Sequence, residues 1–446
     1  MSTVISKVIS KVISNRYDVV VGGAGVAGLA AACALGRLGH RVLVLEKSPA
    51  PRPVAKGEVL QPGSLAVLRE WGVTDRLERA GALRLSRLVA RAADGRPRMV
   101  LDYGRLPAEQ PWLLAHDYPA ILTALTDALP AGVEVRRGVL VRELLWAGDR
   151  VTGVRCDDGE VPASLVVAAD GVSSRIRRAA GMTAPRSDYP HRLAAFELDA
   201  PGAVEPDFSA YVTDGGLRLR YPLPGGRVRL YVQVGPDELR GLDLAGLRRW
   251  ADRVLEGCPG LAPLADALRA GVGRRQLLPV SRSLAGSLAA PGLALAGESG
   301  HSVHPMAAQG MNSSIADAHA LAAVLRQGGS LAAPVVDHAL TRYAEDRHRN
   351  LRHIGRTSHN AARMITSRSW VGQRALTGTG GNDRIRHEVM HTMSGLGVRR
   401  LTPLDRLHQI GVLPDPRARR LPAWVTPAPV PENTVPETAG PGAVPR

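Results

Sequence analysis

A glycine pattern near the start of the sequence is of the type that binds a diphosphate. Its spacing is G-x-G-x-x-G, from Gly23 to Gly28, between an apolar run and a stretch rich in Ala and Leu. The first glycine permits a tight turn, the second lets the backbone approach a diphosphate, and the third lets a helix pack closely on a strand. Free N–H groups at the start of that helix bind phosphate oxygens. The residues that we predict to contact the ligand are Gly23, Gly25, Val26, Ala27 and Gly28.

A carboxylate at the end of the next apolar run completes this pattern. Glu46 stands 23 residues after Gly23 and closes the run Arg41–Glu46. A carboxylate in that position accepts hydrogen bonds from the ribose of a dinucleotide. Lys47 and Arg52 follow it, and we predict both as further cofactor contacts, Arg52 as a phosphate ligand. The glycine pattern, its flanking runs and Glu46 together predict a dinucleotide-binding unit.

Two further groups of residues can contribute to the same site. The first follows the buried-strand pattern at 165–169, and the second follows a similar run at 293–296 and continues into a loop. A helix that starts near Asn312–Ser313 would direct its positive end at a negatively charged ligand. The first group begins with Asp170 and Gly171, and the second begins with Gly297 and Glu298.

The elements that position these residues form an α/β pattern. Short β-branched runs predict buried parallel strands at 17–22, 41–46, 165–169 and 293–296, with further strands near 133–136 and 151–156. Helices are predicted at 26–38, 64–70, 118–129 and 315–325, and most of 335–393 is predicted helical. Alternation between 192 and 234, with glycine turns at 214–216 and 224–226, predicts an inserted antiparallel sheet. Residues 83–112 show less regularity.

Composition excludes several classes of protein. The 446 residues are 45% hydrophobic and 22% charged, as in a globular chain. No uncharged apolar run reaches the ~18 residues of a membrane-spanning helix. Three cysteines are too few for a disulfide framework, so we expect a reducing, cytoplasmic location. The net charge of +16 comes mostly from scattered arginines, and no nucleic-acid-binding motif accompanies them, so we expect no nucleic-acid partner.

The three motifs, in this order and spacing, resemble class A FAD-dependent monooxygenases, the para-hydroxybenzoate hydroxylase-like flavoproteins. The resemblance spans roughly residues 17–345 and rests on the glycine pattern with Glu46, the segment Val166–Arg175 around Asp170, and the segment from Leu295 to Ala318. It implies that the cofactor is FAD, and that the Asp-Gly motif lies near its diphosphate and takes part in NAD(P)H use. It also implies that the third motif holds the ribityl chain and the isoalloxazine. The cofactor contacts that the resemblance implies in these two motifs are Asp170, Gly171, Gly297, Glu298, Pro305, Gly310, Met311 and Asn312.

The sequence departs from the family pattern at two positions and shows a second likeness elsewhere. Glu298 replaces the usual aspartate of the third motif, and Ala308 replaces the first glycine of the usual Pro-x-x-Gly-Gln-Gly. The stretch Lys56–Gly63, KGEVLQPG, resembles squalene epoxidases of the same superfamily. That likeness leaves olefin epoxidation open; the alternative reading of the stretch is a generic loop that enters a helix.

The resemblance implies a single-component flavin monooxygenase. NAD(P)H would act as a transient cosubstrate, and O2 would react through a flavin C4a-hydroperoxide to hydroxylate an aromatic or otherwise electron-rich small organic molecule. The alternatives are an olefin epoxidase, an oxygen-independent flavin reductase or saturase of the geranylgeranyl reductase kind, and a flavin-binding sensor without turnover. We expect a monomer or a homodimer.

The substrate side offers fewer candidates. His304, just before Pro305, is predicted to line the pocket and is our candidate for an acid–base role. His301 and His304 lack further ligands at metal-binding spacing, so no metal site is predicted. With only two phenylalanines in the chain, aliphatic side chains must supply most of the pocket wall. Candidate wall residues, whose facing the alternation leaves open, are Trp112, Arg218, Arg220, Tyr221 and Gln233.

These assignments give a discontinuous domain organisation. The predicted fold class is α/β, a Rossmann-type FAD-binding domain with an inserted antiparallel-sheet substrate domain and a helical C-terminal segment. Residues 1–15 are an N-terminal extension, and 421–446 are a proline-rich tail. The FAD-binding domain takes 16–82, 113–185 and 285–340. The substrate-binding domain takes 83–112 and 186–284, and the helical C-terminal segment takes 341–420.

Overall fold

The computed structural model describes residues 17–51, 54–55, 57–366 and 370–425. The predicted N-terminal extension, Arg52 and all but the first five residues of the proline-rich tail lie outside the described residues.

Strands and helices alternate through the described chain. The strands are β1 (Val19–Gly22), β2 (Val42–Glu46), β3 (Val59–Leu60), β4 (Leu83–Leu85), β5 (Arg87–Ala92), β6 (Pro97–Asp102), β7 (Leu113–Ala115), β8 (Val133–Arg137), β9 (Val141–Ala147), β10 (Arg150–Cys156), β11 (Gly159–Pro162), β12 (Leu165–Ala168), β13 (Arg186–Asp199), β14 (Asp207–Thr213), β15 (Gly216–Leu223), β16 (Arg227–Val234), β17 (Arg275–Leu284), β18 (Ala289–Ala290), β19 (Leu293–Leu295) and β20 (His301–Ser302). The helices are α1 (Val26–Gly36), α2 (Pro62–Glu70), α3 (Val73–Arg79), α4 (Tyr118–Thr126), α5 (Arg175–Ala179), α6 (Leu244–Glu256), α7 (Ala265–Gly271), α8 (Gly310–Gly328), α9 (Ala333–Thr366), α10 (Trp370–Gly381), α11 (Asp383–Met393) and α12 (Pro403–Gln409). Single 3₁₀ turns lie at Gly297–Ser299 and Pro305–Ala307.

A six-stranded sheet carries the predicted nucleotide-binding unit. Its order is β18-β19-β12-β1-β2-β8, and every pairing except β18 with β19 is parallel. Each residue of β1, β12 and β19 is buried, which explains why these strands read as unbroken apolar runs. Helix α1 is buried along its whole length, because α8 covers the side that faces away from the sheet. The parallel strands predicted from the sequence are confirmed to within two residues.

An eight-stranded sheet forms the second layer, in the order β20-β17-β13-β16-β15-β14-β5-β6. The four strands between 186 and 234 pair with one another in antiparallel fashion, as the alternation predicted. The low regularity expected for 83–112 was wrong: β5 pairs in parallel with β14, and β6 extends the edge. The apolar residues of each strand, at 88–90 and 99–101, are consecutive in the sequence rather than alternating with polar ones, so periodicity alone did not reveal the strands.

The two faces of this sheet are covered differently. Leu217, Leu219 and Tyr221 of β15 belong to an apolar cluster on the face that meets the loop at Met306. The opposite face packs on α6 through Trp250 and contains a separate cluster. Because strand residues alternate, Arg218 and Arg220 point away from the first cluster. We call that first face the inner face.

Helices α9 to α11 cover the inner face and confirm the predicted helical segment. Leu376 of α10 and Met390 and Met393 of α11 join the inner-face cluster. Among the described residues, no helix combines the length and the apolarity that crossing a bilayer requires.

Candidate functional site

The glycine turn after β1 has no room for a side chain at two of its three glycines. Gly23 has φ +111°, and a Cβ there would lie 2.4 Å from the carbonyl oxygen of Ala169. A Cβ on Gly28 would lie 1.8 Å from the carbonyl oxygen of Gly23. Both positions therefore exclude any side chain. Gly25 is the N-cap of α1 and has no side-chain cap, so the first N–H groups of the helix have no partner inside the helix.

Glu46 fastens this turn to β2. Its carboxylate accepts hydrogen bonds from the N–H groups of Ala24 and Ser48, both at 2.8 Å. Lys47, next to it, is exposed. The structure therefore brings Glu46 to the glycine turn, as predicted, and gives its carboxylate a role in shaping that turn.

Tyr118, at the start of α4, lies over the same turn and was not predicted. Its hydroxyl oxygen accepts a hydrogen bond from the Val26 N–H, and its charge neighbours are Glu46 and Glu298. Burial raises the pKa of Tyr118, so the hydroxyl keeps its proton at neutral pH and can donate it. No sequence motif marks a tyrosine at the start of a helix, so Tyr118 could not be predicted from the sequence.

The third motif lies against the first. Gly297 has φ +62°, and a Cβ there would lie 2.6 Å from the Cβ of Ala27 and 2.9 Å from the hydroxyl of Ser314. Gly297 therefore packs between α1 and α8, close to the N-terminal ends of both helices. Ser299 also donates to the carbonyl oxygen of Ala168 at 2.5 Å, which fastens the motif to β12.

A buried carboxylate holds the third motif in place. Asp317 of α8 accepts hydrogen bonds from the Gly297 N–H at 2.9 Å, from His301 at 2.7 Å and from Arg347 at 2.8 Å. Burial would raise the pKa of Asp317, but the His301 and Arg347 contacts outweigh it and lower the pKa. The ionised carboxylate thereby joins the motif to α8 and α9.

Asp170 caps a helix in this structure. Its carboxylate accepts hydrogen bonds from the hydroxyl of Ser174 and from the N–H groups of Arg175 and Ile176, the latter two at 2.7 and 3.2 Å. Gly171, with φ +86°, makes the turn that allows this. The Asp-Gly motif thus begins α5 at the carboxyl end of β12, beside the glycine turn.

Arg177 connects the second and third motifs. Its guanidinium donates to the carbonyl oxygens of Ser299 and Val172, at 2.6 and 3.2 Å. Burial lowers the pKa of Arg177. No motif distinguishes this arginine from the many others in the chain.

Helix α8 begins at Gly310, with Gln309 as its N-cap, so the start predicted near Asn312–Ser313 was wrong by two to three residues. Asn312 does not cap the helix. Its side chain accepts from the Gln61 N–H at 2.8 Å and donates to the Val59 carbonyl oxygen at 3.1 Å. The first-turn N–H groups are consequently those of Gly310, Met311 and Asn312, and the Asn312 side chain holds them beside β3.

The departure at position 308 has a clear backbone signature. Ala308 has φ +49° and ψ +35°, and it is the only non-glycine residue with positive φ among those described. The left-handed region is strained for a residue with a Cβ. The chain therefore keeps the backbone conformation that suits glycine in this loop while carrying an alanine.

Replacing Ala308 with glycine should stabilise the protein. We expect the free energy of unfolding to rise by up to about 1 kcal/mol, because the left-handed strain is relieved and glycine's greater unfolded-state entropy offsets only part of that gain. Denaturant unfolding of the variant measures this. Ala316→Gly, inside α8, is the matched control and should lower the free energy of unfolding by about 1 kcal/mol. A lower free energy of unfolding in Ala308→Gly would contradict the proposal that Ala308 is strained.

His304 is buried in a cluster of aromatic side chains. Its Nδ1 accepts from the Met306 N–H at 3.1 Å, so Nε2 carries the proton and donates to Nε2 of His191 at 3.1 Å. Burial, with His191 and His359 nearby, lowers the pKa of His304 to about 3. Both ring nitrogens already have partners in the protein. The geometry therefore favours a neutral residue that shapes the loop over the acid–base role predicted for it.

This buried neutral imidazole makes stability depend on pH. The unfolded chain binds a proton at His304 below its ordinary pKa of 6.5, whereas the folded chain does not until about pH 3. Stability is therefore full above pH 6.5 and falls as the pH drops, by about 2 kcal/mol at pH 5 from this residue. His304→Gln should flatten that decline in denaturant unfolding between pH 7 and 5. The exposed His319→Gln should leave it unchanged, and an unaltered slope in His304→Gln would contradict the assignment.

A buried ion pair stands at the edge of the inner face. Glu58 and Arg229 form a bidentate pair at 2.7 and 2.8 Å, with side chains 2% and 6% exposed. Tyr221 donates to the same carboxylate at 2.8 Å. The Glu58 contacts raise the pKa of Arg229 although burial alone would lower it. Glu58 was quoted in the sequence analysis only within the stretch KGEVLQPG, and no role was predicted for it.

The structure shows where three of the candidate wall residues lie. Tyr221 faces the inner cluster and stacks on Phe208. Arg220 pairs with Asp207 at 2.9 Å on the opposite face, and Trp112 lies under the guanidinium of Arg84 at 4.2 Å. In the part of the chain that the structure describes, no group of His, Cys, Asp and Glu side chains could hold a metal ion.

A family model decides what this arrangement binds. Residues 16–357, well over half of the chain, match the model described as "FAD binding domain". The chain belongs to this family. The 6-methylpretetramide 4-monooxygenase of Streptomyces rimosus is 32% identical over 320 residues, which are 70% of this chain and 75% of that protein. Squalene epoxidase 2 of Arabidopsis thaliana is 26% identical over 333 residues, 72% of this chain and 56% of that protein.

Solved structures agree with this assignment. The crystal structure of Pseudomonas aeruginosa PqsL in complex with 2-aminobenzoylacetate has a TM-score of 0.71 and 26% identity, and the match covers 79% of this chain and 98% of that one. The protein is an FAD-dependent monooxygenase, an oxidoreductase. The family, the α/β fold class and the enzyme class expected from the three motifs are confirmed.

The residues present fit FAD. The N-terminal parts of α1 and α8 both pack against Gly297, and each helix start has N–H groups without a partner inside its helix and a positive dipole end. The glycine turn leaves room for close approach, since a Cβ on Gly25 would meet only the Tyr118 hydroxyl, at 3.5 Å. A diphosphate and a ring that becomes anionic on reduction are the chemical groups that such a pair of helix ends stabilises.

Proposed function

We propose that the protein is a single-component monooxygenase that uses NAD(P)H and O2 to hydroxylate an aromatic or otherwise electron-rich organic molecule. One oxygen atom would enter the substrate, and the other would leave as water with the two electrons of NAD(P)H. The observation that carries this proposal is the junction at Gly297, where the N-terminal parts of α1 and α8 pack together, while Met306 in the loop that leads into α8 belongs to the apolar inner face. The names of the monooxygenase relatives support it.

Each part of the site has a role in this proposal. Bound FAD supplies the redox and oxygen chemistry. The first N–H groups of α1, the Glu46 carboxylate and the Tyr118 hydroxyl would hold the adenosine and diphosphate end. The first-turn N–H groups of α8 would stabilise negative charge on the ring end. These assignments extend to the predicted contacts Asp170, Gly171, Gly297, Glu298, Pro305, Gly310, Met311 and Asn312.

The inner face would bind the substrate and exclude water. Its side chains around Met306 are aliphatic, methionine and aromatic, including Leu219, Met390 and Met393. Apolar side chains around a bound substrate would exclude water from the reaction. Neutral His304 would fix the loop at Met306, which leads into α8.

Oxygen consumption tests the proposal. We expect the purified protein to oxidise NADPH or NADH faster with a substrate from an aromatic panel, and the product to gain one oxygen atom, labelled when 18O2 is supplied. The same turnover without oxygen would favour a reductase or saturase and contradict a monooxygenase. Tight FAD binding without substrate-stimulated oxidation across the panel would favour a sensor.

Epoxidation of an alkene is the second candidate, because one observation favours it. Glu58, from the stretch that resembles squalene epoxidases, is buried beside the inner face and is held by Arg229 and Tyr221. A squalene epoxidase is among the relatives. An isoprenoid alkene included in the same panel distinguishes the two outcomes by the position of the new oxygen.

A further inference from the structure

The C-terminal end of the described chain exposes many large apolar side chains. Half of the large apolar side chains that are exposed in the described residues lie between 398 and 421, with exposed fractions of 37–55%: Val398, Leu404, Leu407, Val412, Leu413 and Leu421. Single exposed leucines are ordinary, but a local group of this size marks an interaction surface.

Four of these residues are neighbours. Leu404 and Leu407 stand three positions apart on α12 and so share one face of that helix. The chain then turns back, and the N–H groups of Val412 and Leu413 donate to the carbonyl oxygen of Leu407 at 3.0 and 3.4 Å. We call Leu404, Leu407, Val412 and Leu413 the C-terminal apolar patch.

Positively charged side chains lie in the same segment as the C-terminal apolar patch. The same segment exposes six arginines, Arg399, Arg400, Arg406, Arg417, Arg419 and Arg420. Its two acidic residues, Asp405 and Asp415, have side chains only 9% and 2% exposed, because both are paired with Arg384 at 2.7 Å. The segment therefore presents apolar and cationic groups outward and turns its carboxylates inward.

We propose that this surface docks on a lipid bilayer that carries anionic headgroups. Aliphatic side chains flanked by arginines suit the boundary between acyl chains and phosphates, where apolar burial and electrostatic attraction add. A second copy of the chain fits less well, because a two-fold interface would place like-charged arginine groups against one another. A nucleic acid would satisfy the arginines but would leave the leucines uncovered.

The position of the surface connects it to the inner face. Helix α11, which contributes Met390 and Met393 to the inner-face cluster, directly precedes this segment in the chain. Docking here would bring the helices that cover the inner face to the bilayer, where a lipophilic substrate accumulates. Membrane docking itself does not rest on the proposed oxygenase function, since it is measured without turnover.

Vesicle co-sedimentation of the full-length, FAD-loaded protein tests the proposal. We expect binding to vesicles of phosphatidylglycerol and phosphatidylcholine, about tenfold or more weaker binding to pure phosphatidylcholine, and weaker binding as salt rises. Two independent variants, Leu404→Ser/Leu413→Ser and Arg400→Glu/Arg420→Glu, should each weaken binding about tenfold or more. Flavin content and thermal unfolding confirm that each variant is folded.

Matched controls lie on α6, far along the chain. Leu244 is 50% exposed, and Arg248 and Arg249 are exposed on the same helix. Leu244→Ser and Arg248→Glu/Arg249→Glu should bind vesicles like the wild type. Equal losses in patch and control variants would overturn the proposal. So would a concentration-dependent dimer that dissociates in Leu404→Ser/Leu413→Ser while vesicle binding persists.

Discussion

Gly28→Ala is expected to yield protein that retains no FAD after purification. The added Cβ would lie 1.8 Å from the carbonyl oxygen of Gly23 and 3.3 Å from Val21, and a backbone oxygen cannot move aside without opening the turn. Either α1 shifts away from β1 or the turn loses its shape, and both remove the N–H groups from the diphosphate. We expect FAD affinity to fall at least about a hundredfold, because several aligned hydrogen bonds are lost together.

Gly355→Ala is the matched control for this prediction. Gly355 also lies in a helix, α9, but outside the proposed cofactor site, and a Cβ there meets no atom within 4 Å. Flavin absorbance per chain, compared at equal protein concentration, measures both variants. Because an overpacked turn also costs about 1–3 kcal/mol of stability, thermal unfolding must show that Gly28→Ala is folded. A folded Gly28→Ala protein with full flavin content would show that the turn does not hold the cofactor.

Arg229→Met is expected to be among the most destabilising single changes in the protein. It leaves the Glu58 carboxylate buried beside Tyr221 without its cation, and breaking a buried ion pair in this way costs about 3–5 kcal/mol. The double variant Glu58→Met/Arg229→Met removes both charges and should recover most of that loss. Denaturant unfolding of the two single variants and the double variant measures the coupling.

An exposed pair provides the comparison. Arg186 and Asp188 lie 2.6 Å apart with side chains 44% and 66% exposed, so Arg186→Met should change the free energy of unfolding by less than about 1 kcal/mol. If Arg229→Met proves as mild as Arg186→Met, water reaches the Glu58 carboxylate and the inner face is not sealed at that edge. Loss of Glu58 should also loosen the neighbouring segment from Val59 to Gln61, which contacts Asn312. Lower flavin retention in the Glu58 variant would show this.

The sequence was most informative where local patterns determine structure. The G-x-G-x-x-G turn and the buried strands follow from short-range sterics and burial, and they were predicted to within two residues. The start of α8 was misplaced because Asn312 is a common capping residue, yet its side chain is occupied by Val59 and Gln61, which lie some 250 positions away in the chain. Only the fold brings those partners together.

The residues that sequence analysis missed share one property. Tyr118, Arg177 and Arg229 act through partners distant in sequence, such as Arg229 with Glu58, which are 171 positions apart. Periodicity reports which residues are buried but not which buried polar groups meet. His304 was selected for its residue type, and its burial against His191, which no local pattern encodes, changed its expected role.

A titration of FAD-free protein with FAD and with FMN tests the central claim most directly. If the cofactor extends from the glycine turn at Gly25 to the first turn of α8, FAD should bind with one molecule per chain. FMN, which lacks the adenosine end, should bind at least about a hundredfold more weakly, because it loses the contacts at the α1 N-terminus and Glu46. Equal affinity for FMN, or no saturable binding of FAD, would contradict the account.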